Sequence, residues 1–91
     1  MAEGYAAANI PTNTTTVVKS GSGLLHSVII NTRGVATTVT LYDNTAGSGT
    51  KLATIDTTLS TTSFLYDIGF RNGLTAVTAG TTPADLTITW M

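Results

Sequence analysis

The chain's 91 residues, 9.4 kDa and formal net charge of −1 leave room for one domain. With no cysteine and a single histidine, His26, it excludes disulfides and lacks the nitrogen and sulfur ligands of a structural zinc site. Four basic residues, Lys19, Arg33, Lys51 and Arg71, stand singly in a chain only 10% charged, too sparse for nucleic acid, and no apolar run approaches the roughly eighteen residues that span a bilayer.

Met1 to Asn13 opens the chain without alternation. Its first residues lack the basic segment followed by an apolar one of a cleaved signal, so a soluble product not secreted through such a signal is expected. Ala6 to Ala8 offer the start of a helix that Gly4 and Pro11 confine to about one turn, and the segment reads as an arm, residues 1–13, ahead of a domain over 14–91. Tails fray unless something holds them, which makes Met1, Tyr5, Ile10 and Pro11 the candidate contacts to another subunit.

From residue 14 onward, runs of strand character recur at short intervals between Gly, Asn, Asp, Ser and Pro, giving seven to eight strands. Thr14 to Lys19 is closed by Gly21-Ser22-Gly23, and Leu24 to Thr32 is apolar on both faces, as in a strand covered on two sides. Val35 to Asp43 alternates, with Val39 and Leu41 on the apolar side. Asn44 to Thr50 is a flexible hairpin connection whose tip should project into solvent or against a partner. Lys51 to Thr57 follows, and then Phe64, Tyr66, Ile68 and Phe70 place four large groups at alternate positions. Leu74 to Ala79 and Asp85 to Met91 complete the series around a turn at Pro83. The expected core is Val28, Ile30, Val39, Leu41, Ile55, Phe64, Tyr66, Ile68, Phe70, Leu86, Ile88 and Trp90.

These elements predict an all-β fold, a small β-sandwich that is jelly-roll-like or immunoglobulin-like, with almost no helix. Composition agrees: 21 threonines, stiff at χ1 and suited to pleated sheet, supply much of the polar surface. A domain this small buries only roughly 60% of its unfolded surface and has no covalent staple, while its low charge leaves like copies free to approach. Association with other chains is the expected source of the missing stability.

Little in the sequence suggests catalysis or a cofactor. Titratable groups are His26, Glu3 and four aspartates, mostly in separate elements. Successive residues of a strand face opposite ways, so His26 and Ser27 are not expected to act as base and nucleophile. Asp43-Asn44 lacks the acidic spacing of a calcium loop and reads as a turn whose side chains accept loop amides. Gly21-Ser22-Gly23 and Gly47-Ser48-Gly49 lack the lysine and helix of a phosphate loop. No catalytic, cofactor-binding or metal-binding residue is assigned.

The stretches Val18-Lys-Ser-Gly-Ser-Gly-Leu-Leu-His26, Leu41-Tyr-Asp-Asn-Thr-Ala-Gly-Ser-Gly49 and Phe64-Leu-Tyr-Asp67 carry a likeness over Thr14 to Trp90. There the chain resembles small β-structured virion proteins of tailed bacteriophages, in particular capsid decoration or cement proteins. The resemblance implies a non-enzymatic structural protein on the capsid surface, a trimer or dimer that clamps the major capsid protein. The alternative is a tail or baseplate component, or a carbohydrate-binding sandwich on the virion. Sugar sites present exposed aromatics, and here the loops hold none, leaving Tyr42 and Tyr66 on strand faces.

Overall fold

The computed structural model describes residues 5–91, and Met1 lies outside that range. The described chain is all-β: β1 (Ala6–Ile10), β2 (Thr15–Ser20), β3 (Gly23–Thr32), β4 (Val35–Asp43), β5 (Thr50–Asp56), β6 (Ser63–Phe70), β7 (Gly73–Thr82) and β8 (Asp85–Trp90). Two four-stranded antiparallel sheets result, sheet A in the order β1-β8-β3-β6 and sheet B in the order β2-β7-β4-β5. A shortest Cα extent of 17 Å admits two layers about 10 Å apart and no third.

The pairing follows a simple rule. β4 pairs with β5, β3 with β6, β2 with β7 and β1 with β8, so the chain doubles back at the β4–β5 connection into one long two-stranded ribbon. That ribbon wraps on itself and is joined by two further pairings, β3 with β8 and β4 with β7. Every connection except β4–β5 crosses from one sheet to the other.

Ala6–Ile10 belongs to the sheet and is not part of an arm. The alanines' helical preference gives way because pairing with β8 satisfies the segment's backbone along its whole length, and tertiary context overrides weak propensity. Ile10 stands opposite Leu86, which also stands opposite Ile30, and all three are buried in one row of the core. The next inward row runs Ala8, Ile88, Val28 and Phe64. From sheet B, Val39, Leu41, Ile55, Leu74 and Ala76 meet the same cluster.

Eight of the twelve expected core residues are buried: Val28, Ile30, Val39, Leu41, Ile55, Phe70, Leu86 and Ile88. Phe64, Tyr66 and Trp90 are half-buried and pack against them. Ile68 is half-buried and stands apart from the cluster, because its strand is irregular: β6 carries one residue more than β3 between the Leu65–Ser27 and Ile68–Leu25 pairs, with Asp67 at φ 52°.

Part of the hydroxyl complement lies inside. Thr37, Thr57, Thr75 and Thr78 are buried. The Thr57 hydroxyl donates to the Thr37 carbonyl at 2.8 Å, that of Thr75 to the Asn44 carbonyl at 2.7 Å, and that of Thr37 to the carbonyls of Val35 and Thr82. Thr78 Oγ1 has no partner. Near Thr37, Gly80 (φ 155°) packs so closely on β4 that a Cβ would run into the Ala36 carbonyl and the Thr37 backbone.

Candidate functional site

The two outer faces differ. Over sheet B the β4–β5 connection folds back, so that a Cβ on Gly47 would meet Val77 at 2.8 Å and Thr15 at 3.4 Å. The tip therefore lies across β7 and β2. Two local devices hold it. Asn44 accepts from the Thr45 amide and donates to the Ser48 carbonyl, both at 2.8 Å. Asp43 reaches a different turn, accepting the Asn72 amide at 2.8 Å and the Arg71 amide at 3.0 Å. Those amides, Asn72 first, hold its carboxyl below the usual carboxylate range.

Among the described residues, no connection folds back over sheet A's outer face. Its rows run Ala7, Thr89, Ser27, Leu65 and then Asn9, Thr87, Ile29, Ser63. None of these eight is charged. Asn9 and Asn31 Nδ2 donate to Asp85 Oδ1 at 2.5 and 3.3 Å, tying β1 and β3 to the start of β8.

At the opposite end of this face, β3 bulges. The register shifts between Leu25 and Ser27 against both neighbours, and Leu25 and Val28, three residues apart, are both fully buried. The expected alternation of His26 and Ser27 across the sheet is thus interrupted, since the extra residue lets both lie outside the inward row. They do not form a base and nucleophile: Ser27 Oγ shares a 2.5 Å hydrogen bond with Thr89 Oγ1. His26 Nδ1 instead pairs with Asp67 Oδ1 at 2.7 Å. The Tyr5 ring lies flat on the imidazole, with centroids 3.7 Å apart and planes 2° apart.

Tyr5, expected to anchor in another chain, is anchored in its own, and 43% of it remains exposed. Ile10, expected at the same kind of contact, is 3% exposed within the core and unavailable to a partner. Pro11 is exposed in the β1–β2 connection. Tyr42 and Tyr66 offer no open platform: both are half-buried, Tyr66 stacks with Phe64, and burial pushes its phenol up. Among the described residues no three His, Asp or Glu side chains converge as metal ligands.

No protein-family model, curated protein or solved structure matches the chain. What it offers a partner must be read from its surface. Of seven large exposed hydrophobics among the described residues, four lie in the half that carries the β3–β4 and β5–β6 connections: Ile29 (37%), Val35 (57%), Leu59 (52%) and Leu65 (68%). The Ile30 amide donates to the Thr62 carbonyl, which brings those connections together, and Ile29 and Leu65 are diagonal neighbours on the sheet. None of these was singled out as a contact from sequence. Alternation does single out Ile29 and Leu65 as out of phase with the core residues beside them.

Proposed function

We propose that this chain is a non-catalytic structural module of a bacteriophage virion, a small jelly roll that binds the assembled shell as a decoration or cement protein. The order 1-8-3-6 over 2-7-4-5 supports a jelly roll, because a ribbon with every strand paired to its counterpart from the other end, wrapped once, produces it. That architecture is common among capsid domains and also hosts other functions, so the weight falls on the surface.

One observation carries the reading: the apolar group of Ile29, Val35, Leu59 and Leu65 beside an uncharged sheet face. Exposed apolar side chains concentrated in one half of a domain point to an interaction site, and here they occur on a chain with a charge of −1 and little repulsion between copies. Copies seated on a lattice of the major capsid protein, as trimers or dimers, stabilise it by mass action, since they bind the assembled state alone. Multiple weak contacts add through avidity.

The test is direct. Mass spectrometry of purified virions, followed by localisation of the protein's density, should find it on the shell exterior. Leu59→Ser and Leu65→Ser should lower its occupancy while circular dichroism stays that of a folded β protein. Absence from the particle, or full occupancy by both variants, would overturn the proposal.

A further inference from the structure

The cluster at the bulged end of sheet A borders that apolar group, since Leu65 stands opposite Ser27 on the same face, but it has a different chemistry. Tyr5 is in phase with Ala7 and Asn9, on the outer side of β1, and reaches across to His26 on β3. One face of its ring is covered by the imidazole, and 43% of the residue remains exposed. The pair is held in place from behind: Asp67, 52% exposed, fixes the imidazole through Nδ1 at 2.7 Å. Asp67 does so from a left-handed backbone conformation, φ 52°, and His26 does so from a bulge. Local backbone departures of this kind cost free energy and tend to persist where they aim side chains.

We propose that Tyr5, His26 and Asp67 form a binding site for a neutral glycan. A fixed, partly exposed aromatic plate matches the flat, apolar C–H face of a pyranose ring. Hydrogen-bonding capacity surrounds it. Asp67 Oδ2 and His26 Nε2 have no partner among the described residues, whereas the Ser27 and Thr89 hydroxyls in the next row are occupied by each other. A carboxylate accepting from sugar hydroxyls makes the stronger, charge-assisted kind of hydrogen bond. The sign of the charge beside the plate also selects: the Asp67 carboxylate disfavours sulfated or sialylated chains there.

Size favours a small ligand over a protein. Four strands about 4.8 Å apart and a few residues of about 3.3 Å each give a face well short of the ~800 Å² per partner of a standard protein interface. Single-site affinity is correspondingly weak, and display in many copies supplies the avidity.

The full chain, biotinylated and tetramerised on streptavidin, is applied to a printed array. The array carries neutral glucans, galactans, mannans and N-acetylhexosamine oligomers, together with sialylated and sulfated glycans. Binding to at least one neutral class is expected. It should fall about tenfold or more in Tyr5→Ala and in Asp67→Asn, which keeps a residue tolerant of positive φ, and it should persist in Tyr5→Phe. Leu59→Ser, which tests shell binding, should leave it unchanged. No neutral binding, binding to acidic glycans alone, or folded Tyr5→Ala and Asp67→Asn proteins that bind like the parent would each overturn the proposal.

Discussion

Truncating Ile10 to alanine separates a strand that belongs to the core from an arm that lies outside it. Ile10 is 3% exposed and shares a row with Leu86 and Ile30, so Ile10→Ala removes buried methyl groups and leaves a void that fixed neighbours fill only partly. Such changes cost about 2–5 kcal/mol. A domain of this length has a total stability of about 5–14 kcal/mol, so one edge-strand side chain accounts for a large share. With a urea m-value of about 1–1.5 kcal/mol/M for a small protein, the midpoint should fall by about 1.3 M or more at unchanged m. An exposed residue of an arm would shift it by less than about 0.5 kcal/mol. A midpoint change that small would refute the placement of β1 in the core and restore the arm.

Three further outcomes follow from particular contacts. Thr78→Val swaps a buried hydroxyl without a partner for a methyl of similar size, which should raise stability by about 1 kcal/mol and the thermal midpoint by about 4–8 °C; a lower midpoint would show that the hydroxyl is satisfied. Gly80→Ala drives a Cβ into the Ala36 carbonyl and should destabilise by more than the ~1 kcal/mol of an ordinary glycine replacement, so a neutral result in thermal denaturation would show the β4–β7 crossing to be loose. Asp43 and Asp56 are held below the usual carboxylate range, the first chiefly by the Asn72 amide and the second by the Thr58 hydroxyl. Their contribution is therefore complete above about pH 4 and lost as pH falls through their lowered folded values, so urea midpoints should drop below pH 4, less steeply in Asp43→Asn and Asp56→Asn.

Legibility tracked side-chain contrast. Val35–Asp43 emerges at its full extent because apolar and hydroxyl residues alternate through it, and burial follows that phase at Val39 and Leu41. Ala6–Ile10 has the same phase, with Ala8 and Ile10 inward, but alanine is small on either face and carries no contrast to read. Register defects were hidden for another reason. The His26 bulge arises from how β3 meets two neighbours at once, and nothing local to Leu25-His26-Ser27 announces an extra residue. The candidate site escaped with it, since Tyr5, His26 and Asp67 lie in three segments that only the fold brings together. The β4–β5 tip is exposed to solvent as expected, but its lie over β7 is not legible, because glycines are flexible in sequence terms and only the fold shows Gly47 in close approach to Val77.

The wrapped ribbon also decides which features can act together. Since β1 pairs with β8 and the chain doubles back at β4–β5, Tyr5, Met91, the β2–β3 turn and the β6–β7 turn share one end, while Val35, Leu59, Pro11 and Pro83 share the other. Three of the four basic residues, Lys19, Lys51 and Arg71, are at or beside the first end, and Lys19 Nζ reaches the Met91 carbonyl at 3.5 Å. The second end joins exposed apolar side chains to two rigid prolines, a surface that loses little conformational freedom when it is covered. If that end seats on a shell, as proposed, the Tyr5 cluster is carried outward at the far end of the same strands. A particle would then hold the module by one end and present the other to whatever it meets. The two proposals separate at the extremes of the strands: Leu59→Ser should release the protein from particles and spare glycan binding, and Tyr5→Ala should do the reverse. A single variant at either end that abolished both activities in a folded protein would show that one surface serves both.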